Sequence, residues 1–299
     1  MLQESKPAAA SLLEPEFLRR LERAAVVSRR VKAGKTRGER RSPRRGASVE
    51  FADFRSYTQG DDLRYVDWNA YARLSRMFVK LFVEEEDLTV SLLLDGSQSM
   101  DFGSPNKFRW ASRICAALGY LALSSTDRMQ AFCRVGNETR RTRLLRGSPT
   151  ATEAFAWLAE LRPSGETNLP ALVNGLLATT PSPGVVFLIS DLLTEGWEPA
   201  LAKLAAARCE TCVLQVMSPE EYSPGFQGDL RLVDSETRSA RELTMGAGVM
   251  RRYVQARDAF FEAVRRACLR YGFAYLLRLT SDPEQDVVLR DLRRLQVIR

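Results

Sequence analysis

The stretch Thr89-Val-Ser-Leu-Leu-Leu-Asp95-Gly-Ser97-Gln-Ser99-Met100 constrains this chain more than any other. It opens as an apolar run, the mark of a strand buried on both faces of a parallel sheet. The run stops at Leu94, so Asp95 is expected at the carboxyl end of the strand, where open α/β sheets bind ligands. Asp95, Ser97 and Ser99 on a tight turn offer only hard oxygen donors, a set that suits Mg²⁺ or Mn²⁺ rather than zinc.

The rest of the chain supplies the partners such a strand needs. Val185-Val-Phe-Leu-Ile-Ser190-Asp191 is a second apolar run ending in an acid, and 128–133, 211–217 and 273–279 also read as strands. Between them, helical spacing is expected over 107–124, 150–161, 169–179 and 197–207, and over a long helix carrying Tyr253, Phe260, Val264, Ala267 and Tyr271 on its inner face. This alternation implies an α/β fold: a doubly wound, mainly parallel sheet with helices on both faces. Residues 88–299 would form that domain. Residues 1–87 would form an N-terminal helix/β extension: a helix from Pro15, a strand over 49–57, a short extended piece over 63–68 and a half-exposed strand over 77–83. Because only the acidic turn Glu84–Asp87 separates the last of these from Thr89, the two strands are expected side by side.

Composition excludes several chemistries. The chain has no histidine, which removes Ser-His-Asp and Cys-His nucleophile systems and His-ligated zinc. The net charge of +7 is local: residues 29–45 hold nine basic side chains against Glu39 alone, so the remainder is close to neutral. That segment has no interleaved aromatic for stacking bases, and a solvated loop is preferred to a nucleic-acid site. Five irregularly spaced cysteines point to a reducing compartment and buried thiols. Cys209 and Cys212, an odd step apart on a strand, would face opposite sides of the sheet. With no apolar run of about 18 residues and no secretory leader at the N-terminus, a cytoplasmic location without a membrane span is expected.

Three pieces converge on one chemistry. Asp95, Ser97 and Ser99 follow one central strand and Asp191 follows another, while Thr167 lies in the loop Ser164-Gly-Glu-Thr-Asn-Leu that opens a helix. In a doubly wound sheet Asp95 and Asp191 would lie side by side at the switch point. This combination resembles the metal-ion-dependent adhesion site of von Willebrand factor type A domains, whose D-x-S-x-S motif stands here as Asp95, Ser97 and Ser99, its threonine as Thr167 and its second aspartate as Asp191. The resemblance implies a divalent ion, Mg²⁺ or Mn²⁺, bound directly by hydroxyls and often through water by the aspartates. A partner's carboxylate would fill the open position, because neutral ligands leave the ion short of negative charge. Glu166, where a small residue is common, adds an acid beside Thr167.

A second resemblance covers more of the chain. The segment from Glu50 to Arg73, Glu-Phe-Ala-Asp-Phe-Arg-Ser-Tyr-Thr-Gln-Gly-Asp-Asp-Leu-Arg-Tyr-Val-Asp-Trp-Asn-Ala-Tyr-Ala-Arg, looks like the signature that precedes the type A core in the bacterial family called domain of unknown function 58. That resemblance implies an accessory protein, often associated with MoxR-type AAA+ ATPases. Arg55, Asp61, Asp62, Arg64, Asp67, Trp68 and Arg73 are read as a salt-bridged layer in preference to a partner-binding face. The leading function is a non-enzymatic, metal-dependent module that captures a partner's acidic side chain. The alternatives are a metal-dependent phosphohydrolase with Asp95 as nucleophile and Lys107 or Lys203 on the phosphate, and nucleic-acid binding through 29–45. A second carboxylate two residues after the nucleophile, which such hydrolases use, is here Ser97. The leading reading requires Asp95 and Asp191 to meet and the place of the external acid to be open.

Overall fold

The computed structural model describes residues 12–28, 49–84, 88–180, 183–225 and 228–299. They divide into two compact units, one within 28–87 and the other from the flanking segments.

In chain order, α1 (Pro15–Leu21) is followed in the smaller unit by β1 (Val49–Ser56), α2 (Trp68–Leu74) and β2 (Phe78–Glu84). The larger unit resumes with β3 (Thr89–Asp95), α3 (Lys107–Ser124), β4 (Arg128–Val135), β5 (Glu138–Arg141), β6 (Leu145–Arg146), α4 (Ala151–Glu160) and α5 (Leu169–Thr179). Then come β7 (Val185–Ser190), α6 (Trp197–Ala206), β8 (Glu210–Met217), the short α7 (Pro219–Tyr222) and a hairpin, β9 (Gly228–Val233) with β10 (Ala240–Met245). The 25-residue α8 (Ala247–Tyr271), β11 (Ala274–Leu279) and helical turns between Glu284 and Arg294 complete it.

The main sheet runs β11–β8–β7–β3–β4–β5, with β6 also on β4. Pairings from β11 to β4 are parallel, and β5 and β6 return antiparallel. The apolar runs of β3 and β7 are central, and alternate residues feed two cores. Leu92, Leu94, Phe187 and Ile189 pack with Ile114 and Leu118 of α3 on one face. Leu93 and Leu188 pack with Leu172 of α5, Leu201 of α6 and Val264 of α8 on the other. This period of two, buried on both sides, is what the unbroken apolar runs encode. The doubly wound, mainly parallel sheet covered on both faces is therefore present. Among the described residues no helix is long and apolar enough to cross a membrane.

Three expectations change, and a fourth is met in part. The first helix does not sit with the 49–84 elements: Phe17 and Leu21 are buried in the same core as α3, Tyr120 donates to Glu22 at 2.7 Å, and Val26 bridges Ile298, so 12–27 belongs to the larger unit. Strand β2 pairs with β1, not with β3, whose two neighbours are β4 and β7. The 63–68 segment is extended only at Val66 and Asp67, where Val66 bridges Val79. Asp62 caps a 3₁₀ turn at Leu63–Tyr65, and Asp67 accepts from the amides of Asn69 and Ala70 to start α2, so capping chemistry overrides the apolar pattern. On α8 Val264 and Ala267 are buried as expected, joined by Phe261 and Cys268, and Phe260 and Tyr271 pack against the same core while partly exposed, as Tyr253 also is.

Candidate functional site at the carboxyl edge of the sheet

Parallel pairing of β3 with β7, in register from Val90 with Val185 to Leu94 with Ile189, brings the two strand-end acids together. Asp95 is almost wholly buried, at 1% exposure. Its Oδ1 accepts the Ser97 amide at 3.0 Å and its Oδ2 the Ser190 hydroxyl at 2.6 Å. Burial, and then the charge of Asp191, push the Asp95 carboxyl up to about 6 against the opposing hydrogen bonds from Ser190 and Ser97. The Oγ atoms of Ser97 and Ser99 are 3.1 Å apart, and Ser99 donates to Asp191 Oδ2 at 3.0 Å. Thr167 Oγ1 lies 3.5 Å from Ser99 Oγ. All five residues expected to form the constellation thus meet at one place.

Their loops are tied main chain to main chain. Gln98 N donates to Gly165 O at 2.8 Å, Ser164 N to Gly96 O at 2.9 Å, and Gly136 N to Ser164 O at 2.7 Å. No side chain fits between them. A Cβ on Gly96 would stand 2.5 Å from Arg134 O, and one on Gly165, where φ is +75°, would stand 2.6 Å from Gly136 Cα. Asp191 is fixed as firmly. Its Oδ1 accepts the Leu193 amide at 3.1 Å, its carbonyl accepts Gln215 Nε2 at 2.9 Å, and buried Leu192 is held at φ +62°. A left-handed backbone at a non-glycine residue is the kind of local strain that collects at functional sites.

Two internal side chains occupy ground that the sequence reading leaves open. Lys107, at the start of α3, is completely buried, and its Nζ bonds Asp191 Oδ2 at 2.7 Å and Glu221 Oε1 of α7 at 2.6 Å. Burial lowers the Lys107 ammonium, but the charges of Asp191 and Glu221 outweigh it and hold it above its ordinary value. Lys107 is therefore an internal counterion and not a free phosphate ligand; Lys203 bonds Asn174 at 2.9 Å. The second occupant is Glu236, in the turn between β9 and β10. Thr167 donates to it twice, from Oγ1 to Oε1 at 2.6 Å and from the amide to Oε2 at 3.0 Å. Thr167, expected to ligate the ion, is thus engaged by an acid of this chain, and the openness that the capture reading requires is to that extent not met. Glu236 follows the turn-forming Asp234-Ser, but nothing in the sequence links it to a threonine 69 positions earlier. Glu166, by contrast, is exposed.

The donors gathered here are all oxygens, the ligand type that hard divalent cations take. Around a six-coordinate ion with ligands at about 2.1 Å, adjacent donors stand about 3.0 Å apart. The Ser97–Ser99 and Ser99–Asp191 separations of 3.1 and 3.0 Å match that edge. Asp191 and Glu221 share the Lys107 ammonium, while among the described residues Asp95 and Glu236 accept only from hydroxyls and amides. Among the described residues no three His, Cys, Asp or Glu side chains converge as ligands, so the hydroxyls of Ser97, Ser99 and Thr167 would have to supply much of any coordination shell.

In the smaller unit, Arg55 pairs with Asp61 at 2.9 Å, Arg64 with Asp62 at 2.8 Å and Lys80 with Asp67 at 3.3 Å. The Arg55 hydrogen bond holds Asp61 below the usual carboxylate range. These charges satisfy one another within the unit; Trp68 and Arg73 are exposed. The basic segment 29–45 lies outside the described residues. All five cysteines are buried. Cys212 and Cys209 contribute to the two opposite cores, as their spacing requires.

The chain is similar to an uncharacterized protein of Mycobacterium tuberculosis, with 27% identity over 243 residues that cover 79% of this chain and 76% of that protein. In shape it is similar to the conserved hypothetical protein BatB of Bacteroides thetaiotaomicron, at 16% identity and a TM-score of 0.42 over 70% of this chain and 98% of that one. It is also similar to the VWA domain of SpRpn10, at 8% identity and a TM-score of 0.41 over 69% and 95% of the two chains. Residues 53–266 match the family described as protein of unknown function DUF58, and the chain belongs to that family.

Proposed function

We propose that this protein is a non-catalytic binding module that captures an acidic side chain of a protein partner at the carboxyl edge of its sheet. The observation that carries this reading is that Thr167 aims a hydroxyl and an amide at the two oxygens of a carboxylate, here that of Glu236, so that capture of an external acid requires Glu236 to give way. The loop already seats a carboxylate, with a hydroxyl and an amide aimed at its two oxygens, and charge-assisted bonds of this kind are the strong ones. A divalent cation, Mg²⁺ or Mn²⁺, would be held by Ser97, Ser99 and Thr167 with Asp95 and Asp191 behind them; when bound it supplies positive charge that favours an incoming anion. The partner class implied by the family resemblance is a MoxR-type AAA+ ATPase, for which the protein would act as adaptor or co-chaperone, and the five buried thiols support a cytoplasmic setting.

The burial of Asp95 speaks against a hydrolase. Both its oxygens are engaged and it is 1% exposed, so it presents no nucleophilic face. The test is affinity purification with wild type, Asp95→Ala, Asp191→Ala and the milder Ser99→Ala, each checked for folding by circular dichroism and repeated with magnesium or chelator. Loss of the same proteins from all three folded variants is expected. An unchanged set of captured proteins overturns the reading.

A further inference from the structure

The β9–β10 hairpin is built to present one side chain. Among the described residues its strands pair only with each other, and most of their residues are exposed. Its turn, in contrast, is well made. Asp234 N donates to Ser239 O at 2.8 Å and Arg238 N to Asp234 O at 3.0 Å, while Asp234 Oδ1 accepts the amides of Glu236 and Thr237 at 3.0 and 2.7 Å and the Thr237 hydroxyl at 2.9 Å. That turn projects Glu236 onto both donors of Thr167. A rigid tip on arms with little apolar burial can be lifted away without opening a hydrophobic core.

We infer that Glu236 is a built-in occupant of the carboxylate seat at Thr167, and that an acidic partner binds by displacing it. This rests on the capture reading above and adds the competitor already in the site. The partner it fits presents a carboxylate at the tip of a tight turn, since that is the shape the seat accepts here. A tethered ligand acts at an effective concentration of about 1 mM, so against a free peptide of about 0.1 mM affinity the tether weakens binding about tenfold.

The probe is therefore a synthetic peptide of this chain's own residues 228–245, added to the full chain with magnesium present. Glu236→Ala is expected to bind it about tenfold more tightly than wild type, and Glu236→Gln, which keeps one acceptor, by an intermediate factor. The same peptide with Gln at the 236 position should bind neither protein. Amide exchange at Thr167 should quicken in Glu236→Ala. Asp234→Ala, which loosens the turn while keeping the carboxylate, should shift both readouts in the same direction by less, and it serves if Glu236→Ala fails to fold. Equal peptide affinity for wild type and Glu236→Ala overturns the displaced-occupant inference while leaving capture intact. Binding by neither protein, with Thr167 exchange still quickened in Glu236→Ala, overturns the capture reading and not the contact.

Discussion

Replacing Lys107 by Met tests the electrostatics of the site most directly. The substitution keeps the apolar stem and deletes the ammonium, so little cavity is made. What is lost is the counterion of Asp191, two groups at zero exposure and 2.7 Å apart, with Glu221 at 2.6 Å on the other side. Breaking a buried pair by removing one partner costs roughly 3–5 kcal/mol, because the remaining charge stays buried without compensation. Asp191 keeps the Ser99 hydroxyl and the Leu193 amide, which puts the expected loss at the lower end, about 3 kcal/mol. At about 2–4 °C per kcal/mol for a domain of this size, the Tm should fall by about 6–12 °C. The assay is urea and thermal unfolding in the presence of chelator, with Lys203→Met, whose partner is the neutral Asn174, as a control expected to stay within about 0.5 kcal/mol. Added magnesium should recover more stability in Lys107→Met than in wild type, since a cation bound near Asp191 replaces the missing charge. A Lys107→Met protein as stable as wild type in chelator would refute the counterion argument.

Three further outcomes follow from the same structure. The Asp95 carboxyl is raised from 3.8 to about 6, so its contribution to stability is fully present below about pH 4 and is lost as pH rises to about 6, on the order of 3 kcal/mol. Unfolding of wild type against Asp95→Asn across that window should show the decline, and magnesium, by favouring the ionised form, should flatten it. Gly165→Ala, with φ at +75° and a Cβ 2.6 Å from Gly136 Cα, should destabilise by about 1–3 kcal/mol and weaken peptide binding; unchanged melting would mean that the loops yield easily. Phe17→Ala should cost about 3–5 kcal/mol in the unfolding of the larger unit, and an effect below 1 kcal/mol would detach α1 from that core.

The central sheet was legible because its information is local. The apolar residues of β3 (Val90 and Leu92–Leu94) and of β7 (Val185–Ile189), each run closing on an acid, specify buried parallel strands and put Asp95 and Asp191 at one edge. The helix over Lys107–Ser124 was readable because its apolar face repeats at 3.6; the Asn106 cap that fixes its start is seen in the structure. What escaped depends on pairs formed only after packing. Lys107 meets Glu221 across 114 positions, and Thr167 meets Glu236 across 69. Neither acid carries a spacing that announces its target. Glu166 stands next to Thr167 where the resembled motif commonly has a small residue, but its side chain is exposed. The same limit explains β2, whose nearness in sequence to β3 weighed less than its pairing with β1, and α1, whose few apolar residues do not say which core they enter.

The glycine-lined joints among the loops around Gly96, Gly136 and Gly165 have a mutational consequence. Because the frame is held by peptide groups in direct contact, its outline does not depend on which side chains decorate the rim. Substitutions at those outer residues would therefore alter the rim while the cradle itself keeps its dimensions.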